Sequence, residues 1–145
     1  MKVMKYFACA FLVLAACGKK PEHDKRFLDL TAPYVVPNTY DEAYKEIERM
    51  TNDVGYYVEN PNLEKVKEQI DPLKKVAAKL HDLAKTKDLS PDEQRFVEYT
   101  APDFAKAVDQ LEQAVKSVSA PGMKAAHETM KRHADELKKC YGHRH

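Results

Sequence analysis

Three residue types able to bind a soft metal or haem iron crowd the end of this 145-residue chain, where Met130, His133, Cys140, His143 and His145 follow one another. Thioether, imidazole and thiolate are ligands for copper, zinc or haem iron. Met50 supplies a second thioether far upstream. Spacing decides which of them can cooperate. Cys140, His143 and His145 form a C-x-x-H-x-H tail close enough for one ion, but Gly142 is where a helix would stop. His127 and His133 differ by six residues, about 120° around a helix, and so flank an apolar stripe on opposite edges. The plainer reading is that these histidines are hydrogen-bonded or solvated neighbours of a core at an ordinary helix end, and the sequence favours it. Catalysis has less to stand on. Cys140 and His143 make a thiolate–imidazole pair with no third group to orient it. There is no Gly-rich phosphate loop, G-x-S-x-G or H-E-x-x-H. The expectation is a protein that is not an enzyme.

The other cysteines explain why Cys140 is alone. Lys2 and Lys5 open the chain, an apolar run of 11 residues follows from Tyr6 to Ala16, and small residues lead into Cys17. That is the layout of a secretory signal peptide, too short to span a bilayer. The stretch Leu14-Ala15-Ala16-Cys17 resembles the lipobox of bacterial lipoproteins. The resemblance implies residues 1–16 as the signal, lipidation (a diacylglycerol thioether and palmitate-type acylation) at Cys17, and a membrane anchor through that lipid. Gly18, rather than an aspartate, implies onward export to the outer membrane, facing the periplasm. Cys9 leaves with the signal, so the 129-residue mature chain keeps only Cys140 as a thiol. A leftover cysteine in an exported protein suggests a ligand, a tolerated thiol or a homodimer bridged through Cys140.

Charge excludes one class of partner. Losing Lys2 and Lys5 from 24 basic residues leaves 22 against 23 acidic ones, a net charge of −1 with both signs interspersed. Nucleic-acid binders concentrate basic charge, so none is expected here. A protein partner of the cell envelope is the remaining macromolecular class.

These residues must be positioned by helices. Residues 17–38 hold the lipidated cysteine and a tether with Pro21, Pro33 and Pro37. The 21 residues from Gly18 to Asn38 would reach about 25 Å as flexible coil. Apolar Phe27-Leu28-Asp29-Leu30 and Tyr34-Val35-Val36 suggest that part of it docks instead. Residues 39–145 carry four helical periods. The first runs through Tyr40, Ala43, Ile47, Met50, Val54 and Tyr57, behind a capping box of Thr39 and Glu42. The second runs from Leu63 to Ala84 after a cap at Asn60 or Asn62. Ser90, Pro91 and Glu93 start the third, with Val97, Phe104, Leu111 and Val118 on its stripe. Met123, Ala126, Met130, Ala134, Leu137 and Tyr141 line the fourth. Short turns between such segments predict an all-α, antiparallel up-down-up-down four-helix bundle.

Pro72 and Pro102 interrupt the second and third periods as structural kinks. Counted from the turn between them they fall at one height. The count places Ile47, Met50 and Leu137 there too, with His133 and Cys140 a turn away. Paired kinks would open a pocket lined by these residues; alternatively Asp71 caps a shorter helix starting at Pro72.

The order of elements also resembles the cytochrome c-prime and b-type cytochrome bundles: exported, four helices, a methionine in the first and ligand-type residues ending the last. The resemblance implies haem held by Met50 and a late histidine. The C-x-x-C-H attachment motif is not intact, since Cys140 as its first cysteine places His143 and Arg144 in the remaining slots. The functional expectation is a membrane-tethered helical lipoprotein of the cell envelope that acts as a binding or structural adaptor. The alternative is a periplasm-facing bundle for copper, zinc or haem built on Met50, Met130, His133, Cys140, His143 and His145.

Overall fold

A computed structural model describes residues 33–142, and these form four helices with no strand among them. They are α1 (Tyr40–Glu59), α2 (Leu63–Thr86), α3 (Pro91–Lys116) and α4 (Ala120–Leu137), and a 3₁₀ turn, Lys138–Cys140, completes the last. Each helix begins on a polar cap that accepts from an otherwise orphaned backbone N–H. Thr39 accepts from Glu42, Asn62 from Lys65 and Ser119 from Gly122. Ser90 and Glu93 form a reciprocal capping box, with Pro91 at the first helical position.

The apolar stripes turn inward and determine the packing. α1 packs on α2 and α4, and α3 packs on the same two, so the helices form a closed ring of neighbours. Short turns make successive helices antiparallel, as expected of an up-down-up-down bundle. Ile47, Met50, Leu73, Leu80, Phe104, Leu111, Met130 and Leu137 are all fully buried. Truncating one of the largest, such as Phe104 to alanine, would cost about 3–5 kcal/mol.

The alternative expectation at Pro72, a shorter helix capped by Asp71, is not met. α2 and α3 run unbroken through Pro72 and Pro102, and Asp71 lies inside α2 rather than capping it. A proline costs one backbone bond, and packing of the flanking turns outweighs it: Leu73, Val76, Ala101 and Phe104 are buried beside them. At the level where paired kinks would open a pocket, Ile47, Met50, Leu73 and Phe104 are fully buried. Leu137 is not at that height. Its carbonyl accepts from the Tyr40 hydroxyl at 3.0 Å, which places it at the first turn of α1. Ten residues, about 15 Å of helix, separate that turn from Met50.

One stripe position lies outside its helix. Val118 belongs to the turn after α3 and is 68% exposed. Val36 is buried against the core, in line with docking of the Tyr34-Val35-Val36 stretch, and the Tyr34 hydroxyl donates to Glu46 Oε2 at 3.2 Å. Residues 33–38 are therefore an extended arm on the bundle. Cys17, the signal and the remaining tether lie outside the described residues, as do His143 and His145.

Candidate functional site

Four helix ends meet where α4 finishes, and Cys140 is buried among them. α1 brings Tyr40 and Asp41, the end of α2 brings Lys87, and the first turn of α3 brings Glu93. The Cys140 thiol is 1% exposed and points its Sγ to the Glu93 carbonyl at 3.9 Å. Lys87 fastens the assembly. Its ammonium donates to the Cys140 carbonyl at 2.9 Å and also to Asp41 Oδ1. Asp41 Oδ1 accepts again from the Gly142 N–H at 3.3 Å. Gly142 adopts φ 72°, a left-handed conformation that glycine takes without strain. Tyr141 then lies against Tyr44, ring centroids 5.1 Å apart, and Lys139 covers the Phe96 ring.

The electrostatics of this cluster favour a neutral thiol. Burial raises the Cys140 pKa, the Glu93 charge raises it further, and Lys87 and Lys139 offset only part of this. Burial likewise pushes the Tyr40 phenol up. Burial opposes ionisation of Asp41, but the bonds from Lys87 and Gly142 prevail and hold its pKa low. A high-pKa, enclosed thiol is a poor nucleophile and a poor metal ligand. It is also out of reach of a second copy, so the expected Cys140–Cys140 bridge would require this end of the bundle to open.

The other candidate ligands are dispersed. Met50 and Met130 are wholly buried among apolar neighbours. His133 is on the flank of α4, its Nδ1 paired with Glu136 Oε2 at 2.9 Å. Among the described residues no group of three or more His, Cys, Asp or Glu is placed to hold a metal ion. Hollows open on the α2–α3 groove at His81, on the α3–α4 groove at Gly122, along the outer face of α4, and beside Tyr57 and Met123; Met50, Met130 and Cys140 line none of them. A haem plane needs open space beside its axial ligand, and the packing around Met50 does not fit one.

No family model, curated protein or solved structure matches this chain. The site must therefore be read from its own geometry.

The bundle also buries polar groups that sequence reasoning missed. The His127 ring rests against Gly55 of α1. Thr51 Oγ1 and Gln69 Oε1 are buried without a hydrogen-bond partner among the described residues. Asp53, nearly buried, accepts from Arg49 at 3.3 Å, and Arg49 also reaches Glu46 at 2.6 Å. The only signal in the sequence was Gly55, a helix-breaking residue within a strong helical period.

Proposed function

We propose that this chain is a lipid-tethered helical bundle of the bacterial cell envelope, acting as a binding or structural adaptor without catalysis. The observation that carries the reading is the Leu14–Cys17 box placed directly after a basic start and an 11-residue apolar run. The lipid on Cys17 would hold the domain at a membrane, with the outer membrane, periplasmic face, as its destination. Among the described residues no helix is long and apolar enough to cross a membrane.

The domain's chemistry agrees with an adaptor. Its one thiol is enclosed and neutral, and its charged side chains are mostly engaged in helix-surface pairs such as Lys75–Asp71 and Lys131–Asp135. Such a surface offers partners shape and interspersed charge. The copper-, zinc- or haem-binding alternative draws no support from the described residues, because Met50, Met130, His133 and Cys140 face different surroundings.

The test is membrane fractionation of cells making the full chain or its Cys17→Ser variant. The wild-type protein should pellet with membranes and be released by detergent, and the variant should not be acylated. Equal, unlipidated recovery of both in the soluble fraction would refute the reading.

A further inference from the structure

The arm at residues 33–38 alternates in exposure. Tyr34 is half-buried, Val35 is 81% exposed and Val36 is buried in the core. That is the period of an extended chain with one face down. Pro33 and Pro37 fix φ at about −65° and donate no N–H, and Pro37 also keeps Val36 extended. Among the described residues no backbone–backbone hydrogen bond joins the arm to the helices. The contacts that hold it come from side chains: Val36 in the core, the Tyr34 ring against it, and the Tyr34 hydroxyl on Glu46.

The same contacts describe the seat beneath it. Thr39 caps α1, yet Tyr34 bonds Glu46, six residues and about 9 Å past Tyr40, so the arm doubles back along α1. Glu46 is the polar end of the seat. Arg49 already donates to it at 2.6 Å, and Tyr34 adds a further donor. Burial and the Glu46 charge push the Tyr34 phenol up, so it stays protonated. Two residues on, the seat takes the branched side chain of Val36. A phenol, one residue facing out and then a branched aliphatic is how an extended peptide is recognised, with alternate side chains entering the surface. Fastened by so few groups and without ladder bonds, the arm can leave while the four helices stay packed.

We infer that this seat on α1 is a binding groove for an extended segment of a partner protein, one carrying a tyrosine followed two residues later by valine or isoleucine. Tyr34-Val35-Val36 occupies the groove in cis until such a segment displaces it. The arm is the guide to what fits, because it is the occupant in place. Arm and partner compete for one seat. The arm competes at the effective concentration of a short linker, on the order of millimolar, and so rejects weak encounters. The inference names a partner class for the adaptor reading and rests on that reading; the seat itself does not depend on lipid at Cys17.

Titration of the full exported chain with a capped hexapeptide of the sequence of residues 33–38 tests this. Tyr34→Ser with Val36→Asp should empty the seat and leave the helical circular dichroism of the chain unchanged. Amide NMR of that variant should show saturable shifts centred on Glu46, with an affinity at least ten times that of the wild-type chain, whose own arm competes. Val35→Asp, on the exposed face, should behave as wild type. A Tyr34→Phe version of the peptide should bind about ten times more weakly, having lost the bond to a charged acceptor. No saturable shift in the emptied chain, equal affinity in both chains, or shifts away from Glu46 would overturn the proposal. Loss of helicity in the double variant would overturn it too, by making the arm part of the core. Dimers of wild type formed by exchanging arms would assign the seat to a second copy instead. None of these readouts needs lipid on Cys17, so their failure and that of the anchor are separable.

Discussion

The imidazole of His127 in α4 lies directly over Gly55 in α1: a Cβ built on Gly55 would meet Nε2 at 2.5 Å. The glycine is what lets the ring pack this close. Gly55→Ala should therefore destabilise the domain by about 1 kcal/mol, overpacking outweighing the gain in helix propensity. In a His127→Ala background the same change should stabilise by about 1 kcal/mol, since propensity alone remains. Urea unfolding of the four proteins in this cycle checks the sign reversal.

The same ring gives a pH dependence. Burial lowers the His127 pKa; the Thr51 carbonyl, Glu59 and Glu128 oppose this, and Lys131 adds to it. The folded state thus favours neutral imidazole more than the unfolded chain does. The stability this contributes is fully present above the unfolded value near pH 6.5 and is lost as pH falls through the lower folded value. Melting temperature should drop more steeply below about pH 6.5 in wild type than in His127→Gln. Identical profiles would remove His127 from the account.

Lys87 ties the two ends of the domain through Asp41 and the Cys140 carbonyl. Lys87→Met should leave both acceptors without this donor and cost about 1–3 kcal/mol. The readout specific to this site is thiol chemistry. Native Cys140 should react with an aromatic disulfide reagent far more slowly than in urea, and Lys87→Met should accelerate the native reaction. Wild-type protein should show no reducible dimer band on a non-reducing gel.

Val118 stands at φ 51° in the α3–α4 turn, so Val118→Gly should relieve left-handed strain there and stabilise by about 1 kcal/mol. For a domain near 100 residues that raises the melting temperature by about 4–8 °C. An unchanged or lower melting temperature would mean that the valine's contacts with the hollow beside Tyr57 and Met123 outweigh its backbone strain.

Much of the architecture could be read from residue order because local and tertiary signals agree. Ser90, Pro91 and Glu93 state one helix start three ways, and Ile47, Met50 and Val54 repeat at the spacing that buries them. What failed was arithmetic across helices. Counting residues round the turns sets Leu137 level with Met50, but Tyr40 holds it at the opposite end of α1's first half. Pro72 suggested a break because the lost bond is local, whereas the packing that carries α2 through it is not. The ligand-type residues are ambiguous for a related reason. Methionine and cysteine are soft ligands and also good core residues, so Met130 and Cys140 carry the same letters in either role. Gly55 and His127 belong together only across α1 and α4, and nothing in either segment announces the partner.

The most direct test of the central claim is the intact mass of the full chain, exported by a bacterium and purified in detergent under native conditions. The account predicts a polypeptide from Cys17 to His145 bearing diacylglyceryl and acyl groups, with no further stoichiometric mass. A chain that begins elsewhere without lipid would contradict the tether, and a stoichiometric haem or metal adduct would contradict the adaptor.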